Sequence, residues 1–161
     1  MLETVSVPRA TRESEIPKIV SWTEYTTLLK ILNADLQLRG FDKIVGIGRG
    51  GSIIAAFLAS KLGIPTFTPL FVRHVGRGEE MKIVVDGSPQ FSILRGRLLV
   101  VDDWLCDGRA MTYVLSSLPK DAHATTAVMF CRTGSSFRPD LVGAYVDADQ
   151  REIVFPYDSM G

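Results

Sequence analysis

The sequence predicts an α/β protein built on a doubly wound, mostly parallel sheet, with a small C-terminal hood and a flexible flap. Two segments carry that expectation. Ile44-Val-Gly-Ile-Gly-Arg-Gly-Gly51 and Leu98-Leu-Val-Val-Asp-Asp-Trp-Leu-Cys-Asp-Gly-Arg109 each run from an apolar strand through a glycine turn into a helical stretch. The third observation is the alternation of strand-like and helix-like runs along the rest of the chain, which is the pattern of βαβ units.

The elements follow in order. Residues 1 to 17 read as an extended lead-in, since Pro8 and Pro17 oppose a regular element. Ser21-Trp-Thr-Glu24 forms a capping box, and Tyr25, Leu28, Leu29, Leu32 and Leu36 then recur at helical spacing up to Gly40. A strand from Lys43 to Ile47 and a helix from Ser52 to Leu62 come next, the helix stopped by Gly63-Ile64-Pro65. After a strand from Thr66 to Val72, residues 73 to 95 scatter His74, Gly76, Arg77, Gly78, Gly87 and Pro89 around the short run Met81 to Val85, which reads as a hairpin or mobile flap. A strand from Arg97 to Val101, a helix from Arg109 to Leu118 and a strand from Thr125 to Cys131 complete the series. From Arg132 onward, short strand-like runs separated by turns make the hood. The expected organisation is one domain over residues 1–161, with a core over about 18–131, the flap over about 73–95 and the hood over about 132–161.

The chemistry concentrates after the two glycine-turn strands. Asp102 and Asp103 arrive at the C-terminal end of a buried strand, the edge of an open α/β sheet where ligands bind. Gly108 opens the following helix, whose N-terminus favours phosphate. Two adjacent carboxylates suit a ribose diol or a hard cation such as Mg²⁺.

The segment from Leu98 to Arg109 resembles the phosphoribosyl-diphosphate (PRPP) motif of the type I phosphoribosyltransferases. In that family a hydrophobic strand leads to two acidic residues, two apolar residues, an Asp or Ala, and a Thr-Gly-x-Thr loop. The strand, Asp102-Asp103, Trp104-Leu105 and Gly108 fall in register without a gap. Three positions depart: Cys106 stands where the family often has the Asp proposed as general base, and Asp107 and Ala110 stand where it has two phosphate-binding threonines. An ionised Asp107 accepts hydrogen bonds but donates none, so it repels a dianion where threonine would donate to it. Two readings of this loop stand: Asp107 is itself the general base on a loop shifted by one residue, with Gly108, Arg109 and Thr112 holding the phosphate, or the site has moved away from phosphate.

Other segments extend the resemblance from about Lys18 to Asp158. Gly48-Arg-Gly-Gly51 is similar to the pyrophosphate loop of purine-type members, which implies that backbone amides of Arg49, Gly50 and Gly51 face pyrophosphate and that the Arg49 guanidinium adds charge-assisted bonds. The family often has a cis peptide in this loop, near Gly48–Arg49. Phe130-Cys-Arg-Thr-Gly-Ser-Ser-Phe-Arg-Pro-Asp140, Tyr145-Val-Asp147 and Ile153-Val-Phe-Pro-Tyr-Asp158 look like the end of xanthine-guanine and hypoxanthine phosphoribosyltransferases, and Val20-Ser-Trp22 resembles the opening of their first helix. The resemblance places Arg132 at the lysine that donates to the base, and Glu152, before Ile153, at the aromatic that stacks on it. Tyr157 or Phe155 can replace that stacking face.

The implied activity is transfer of 5-phosphoribosyl from PRPP to a purine or purine-like base with release of pyrophosphate, Mg²⁺ being the cofactor. Asp102 and Asp103 hold the ribose hydroxyls, directly or through Mg²⁺; Arg49 and Arg77 neutralise the leaving group; Cys106 or Asp107, with His74 on the flap, are the proton-transfer candidates. Two alternatives share the fold: a regulatory protein that binds a nucleotide or PRPP without transfer, and a diverged enzyme acting on ribosyl phosphates. Relatives of this kind are commonly dimers or tetramers, which implies a homodimer or homotetramer.

Composition gives no argument for nucleic acid or an anionic membrane surface. The 161 residues are 46% hydrophobic, and their 18 basic side chains balance 18 acidic ones. No apolar stretch is long enough to span a bilayer and Met1-Leu-Glu opens no signal peptide, which points to the cytoplasm. Cys106 and Cys131 have no metal-ligand spacing, which argues against a disulfide scaffold or structural zinc.

Overall fold

The computed structural model describes residues 16–76, 80–87 and 89–158. The lead-in before Ile16, and Arg77 on the flap, lie outside the described residues.

A short strand, β1 (Lys18–Ile19), precedes α1 (Trp22–Leu36). Ser21 caps α1 by accepting the Glu24 amide on its side chain at 3.1 Å, the first half of the expected capping box. Tyr25, Leu28, Leu29, Leu32 and Leu36 are all buried, as the helical spacing anticipates. Each full burial of a side chain of this size is worth about 1.5–3 kcal/mol against the exposed chain, and this stripe fixes α1 on the sheet.

Next come β2 (Lys43–Ile47), α2 (Gly48–Leu62), β3 (Phe67–Leu70), β4 (Val72–Val75) and β5 (Lys82–Val85). A single 3-10 turn at Phe91–Ile93 leads to β6 (Gly96–Leu105), α3 (Arg109–Ser117), β7 (Ala122–Arg132), β8 (Leu141–Val146) and β9 (Ile153–Val154). Five strands make one parallel sheet in the order β3-β2-β6-β7-β8, as the fold class predicts. The sheet separates two apolar layers: Ile44, Leu99, Val101 and Ala127 face α1 and α2, while Val45, Leu98, Val100 and Val128 face α3. The period-2 alternation of a strand puts consecutive residues on opposite layers, which is why both sets are apolar.

Two boundaries near the site differ from the sequence expectation, while the flap holds the expected hairpin. Helix α2 starts at Gly48, four residues before Ser52, because Gly48 makes the strand-to-helix turn itself at φ +65°. Strand β6 runs on to Leu105, so Asp102 and Asp103 belong to the strand and not to the turn after it. The register explains this: β7 stays paired with β6 as far as Leu105↔Cys131. The flap segment contains a regular antiparallel hairpin, β4 against β5, with His74 opposite Ile83.

The hood residues are anchored at two points. Asp140 accepts the Thr126 amide and hydroxyl on one carboxylate oxygen, at 2.7 and 2.8 Å, and returns its own amide to Thr126 Oγ1. Strand β9 lies parallel to β1, with Lys18 opposite Ile153.

Candidate functional site

The chain leaves β2 toward β3 on one side and crosses to β6 on the other, so the carboxyl ends of β2 and β6 flank the point where the winding reverses. Loops diverge there and leave a crevice, the usual ligand position in an open α/β sheet. A cavity of about 340 Å³ occupies it, bounded by Gly48, Arg49 and Gly50 on one wall, Asp102 and Asp103 on another, and Phe155, Tyr157 and Asp158 on a third. A second cavity of about 380 Å³ adjoins it over the loop after β6. Asp102, Trp104, Ala110 and His74 line both.

The first wall is the start of α2. No side chain caps this helix. Its first-turn amides therefore lack intrahelical partners and present the positive end of the helix dipole. Arg49 projects into solvent and its Nη2 meets Asp158 Oδ1 at 2.9 Å. Gly50 and Gly51 are buried, each for a steric reason. A Cβ on Gly50 would collide with the Asp103 carboxylate, and one on Gly51 would fall 2.6 Å from the Val101 carbonyl oxygen. The described peptide bonds are all trans, so the cis bond anticipated near Gly48–Arg49 is absent; the positive φ of Gly48 makes the turn instead.

The two carboxyl groups on β6 differ. Asp102 accepts the Asp103 amide on Oδ1 at 2.9 Å. Its residue opens onto both cavities, yet the carboxyl group is set deep in the protein, and that desolvation pushes its pKa well above the ordinary carboxylate value, with the Asp103 charge adding to the shift. The Asp103 carboxylate accepts the Tyr157 hydroxyl on Oδ2 at 2.5 Å. Burial, then the Asp103 charge, keep the Tyr157 phenol protonated far above its usual range. Tyr157 stacks on Phe155 with ring centroids 5.3 Å apart and meets Tyr25 edge-on at 5.8 Å. Tyr25 is buried, and among the described residues its hydroxyl has no hydrogen-bond partner.

The loop after β6 is closed by its own charge. Asp107 Oδ1 accepts the Arg109 amide at 3.0 Å, and its Oδ2 lies 3.3 Å from Arg109 Nε. A carboxylate thus sits on the first turn of α3, and the adjacent guanidinium is paired with it. Gly108 holds φ +80° there and packs so closely on Phe137 that a Cβ would clash. Cys106, Asp107, Gly108 and Ala110 line the second cavity, whereas Arg109 is exposed and in contact with Met81 of the hairpin, and Thr112 is exposed with its amide on the Gly108 carbonyl.

The hood residues divide. Ile153 lines the first cavity. Arg132 sits half-buried at the end of β7 opposite Val146, and Glu152 is exposed with its carbonyl accepting the Lys18 amide at 3.0 Å; neither side chain lines the two cavities. Sequence reasoning assigned no role to Asp158 or Arg151, which do line them. Asp158 closes the Pro-Tyr-Asp run and was open to notice there, while nothing about Arg151 sets it apart from a surface arginine. Buried Cys131 bonds the Arg132 carbonyl through its thiol, which burial holds above its ordinary pKa.

Solved structures share this architecture. A purine phosphoribosyltransferase from Pyrococcus horikoshii Ot3 superposes with a TM-score of 0.77 at 23% identity, over 89% of this chain and 95% of that one. The Helicobacter pylori xanthine-guanine-hypoxanthine phosphoribosyltransferase gives 0.69 at 19% identity, over 89% and 95%. A hypothetical protein from Neisseria gonorrhoeae with bound ppGpp gives 0.71 at 21%, over 90% and 92%. At these identities the likeness establishes the fold. Sequence establishes more, because the phosphoribosyl transferase domain model matches residues 21–150, from the cap of α1 to the turn before β9. That span takes in the acidic strand, both glycine turns and the five-stranded sheet, and it makes this chain a member of the type I phosphoribosyltransferase family and, with it, a pentosyltransferase.

Proposed function

We propose that the chain transfers 5-phosphoribosyl from PRPP to a purine or purine-like base, with pyrophosphate as the leaving group. The observation that supports this most is the position of Asp102 and Asp103 at the winding reversal, across one cavity from the uncapped start of α2. A ribose diol on the carboxyl pair then puts the diphosphate toward the helix amides and Arg49.

Each group has a part. Asp102 and Asp103 hold the ribose hydroxyls, Asp102 through a carboxyl group whose burial raises its pKa above the ordinary carboxylate value. The amides of Arg49 and Gly50 and the Arg49 guanidinium stabilise the charge that gathers on pyrophosphate as the C1–oxygen bond breaks and its electron pair leaves. A ring nitrogen of the acceptor forms the new bond to C1 and loses its proton, for which His74, on the wall the two cavities share, and Asp107, on the second cavity, are the acceptors. The β4–β5 hairpin, which brings Val72 and His74 to the first cavity and Met81 to the second, excludes water. Arg132 and Glu152 reach the base only if the hood segment closes further on it.

Magnesium fits this arrangement. Among the described residues no cluster of three or more potential ligands exists, and Mg²⁺ characteristically binds through one or two carboxylates while substrate phosphates and water complete its shell. Asp102 and Asp103 would hold it, and it would offset diphosphate charge. Ionising Asp102 is easier beside a divalent cation, which opposes the effect of burial.

Calorimetry with PRPP and Mg²⁺, followed by pyrophosphate release with a panel of free bases, tests the proposal. Binding of PRPP and release with a purine are expected; release with a pyrimidine alone rejects the acceptor class, and binding without release by any base favours the nucleotide-sensing alternative, to which the ppGpp-bound neighbour lends support.

Gly50→Ala gives a narrower test. The added Cβ overlaps the Asp103 carboxylate and the Tyr157 hydroxyl, so both must move to admit it. The variant should stay folded but melt below the parent, because the Cβ overlaps the part-buried Asp103 carboxylate, and it should lose about tenfold or more in PRPP affinity, the worth of one displaced charged hydrogen bond. Full affinity in the folded variant shows that Asp103 does not need its observed position.

A further inference from the structure

The last described turn, Phe155 to Asp158, meets both ligand walls at once. Asp158 donates its amide to the Phe155 carbonyl at 2.9 Å and accepts the Phe155 amide on Oδ2 at 3.1 Å, so the turn is internally braced. From this brace the other Asp158 oxygen reaches Arg49 at 2.9 Å, and the neighbouring Tyr157 hydroxyl reaches Asp103 at 2.5 Å. A carboxylate on a guanidinium is the contact a phosphoryl oxygen makes. A hydroxyl on a carboxylate is the contact a ribose hydroxyl makes. Both contacts lie in the wall of the first cavity.

We infer that the Phe155–Asp158 turn is an internal occupant of the ligand cavity, which holds Arg49 and Asp103 through ligand-like contacts and gives them up when phosphoribosyl ligand enters. The inference rests on the reading of Arg49 and Asp103 as ligand groups. It adds that Tyr157 and Asp158 are positioning residues, acting on the ligand through those two side chains.

The energetics suit exchange. The Arg49 side chain is 79% exposed, so its ion pair with Asp158 is weak and readily traded for a diphosphate. The Tyr157 bond is partly buried and stronger, and it holds the Asp103 carboxylate toward Gly50, the one residue of that wall whose missing Cβ leaves it room. Ahead of the turn, β9 spans only Ile153–Val154, so little sheet pairing resists a shift of the turn.

Two conservative variants of the full chain test the two contacts separately, each by calorimetry in Mg²⁺ with inorganic pyrophosphate and with ribose 5-phosphate. Asp158→Asn keeps an oxygen for the Phe155 amide and removes the charge from Arg49; pyrophosphate should bind about two- to fivefold tighter and ribose 5-phosphate unchanged. Tyr157→Phe keeps both ring contacts and removes the hydroxyl from Asp103; ribose 5-phosphate should bind about fivefold tighter and pyrophosphate unchanged. In the parent, saturation with PRPP should also shift the tyrosyl absorption band as the hydroxyl leaves its carboxylate, a signal absent from Tyr157→Phe. Parent binding with variants that bind equally or more weakly overturns the exchange and leaves the proposed function standing. Parent and variants that all bind neither probe nor PRPP overturn both.

Discussion

Replacing Asp102 and Asp103 together by asparagine should abolish PRPP binding and leave the chain folded, measured by calorimetry beside circular dichroism. Asparagine keeps the shape of each side chain, retains an oxygen for the Asp103 amide and the Tyr157 hydroxyl, and removes the charges and the exchangeable carboxyl proton. Unchanged PRPP affinity in the folded double variant removes the acidic pair from the ligand site. The single change Asp102→Asn carries a pH signature. Burial, then the Asp103 charge, hold the folded-state pKa of Asp102 well above its ordinary value of 3.8. Between those two values the folded chain binds more protons than the unfolded one, so stability is lost as pH rises from about 4 upward. Asp102→Asn removes that loss, and its melting temperature should decline less over the same rise and lie above the parent's at neutral pH. A lower melting temperature at neutral pH shows instead that the native fold stabilises Asp102 as an anion.

The fold was legible where one local rule decided the outcome. Ser21 and Glu24 announce the start of α1, and the Gly63-Ile64-Pro65 stop coincides with its effect, because Gly63 ends α2 at φ +69°. The start of α2 is not legible because consecutive glycines read as a loop when taken by propensity alone. Here Gly46, Gly50 and Gly51 are glycines for packing: a Cβ on Gly46 would lie 2.7 Å from the Ser52 Cα, so helix and strand approach too closely for any side chain. The sequence places the end of β6 too early, at Val101, for a related reason. Charged residues normally leave a sheet, but pairing with the long β7 carries Asp102 and Asp103 inside it, and raises the cost of charging the first of them. Within the site, the acidic pair and the two glycine turns could be read from residue type and spacing. The bonds of Asp158 to Arg49 and of Tyr157 to Asp103 could not, since they join positions 109 and 54 residues apart.

Exchanging the loop after β6 for the family pattern, Asp107→Thr with Ala110→Thr, should tighten PRPP binding by more than tenfold. In the native loop the Asp107 carboxylate occupies the Arg109 amide at the start of α3 and pairs with the Arg109 guanidinium, so a ligand phosphate meets a resident negative charge and finds the nearest cation engaged. The helix dipole contributes only about 0.3–1 kcal/mol toward holding a second anion there. Threonine at 107 can still cap α3 through its hydroxyl oxygen, so the helix keeps its start. At 110, a residue that lines both cavities, a second hydroxyl becomes a donor to the same phosphate. Each restored hydrogen bond to a charged group is worth about 1.5–3 kcal/mol, and release of Arg109 adds to them. Calorimetry with PRPP reads the affinity and pyrophosphate release reads turnover in parallel. Tighter binding with turnover kept identifies Asp107 as an obstacle to phosphate. Tighter binding with turnover lost identifies its carboxylate as the proton acceptor for the incoming ring nitrogen. No gain in affinity rejects the phosphate position over α3, and Arg151 is then the arginine among the described residues that line the second cavity.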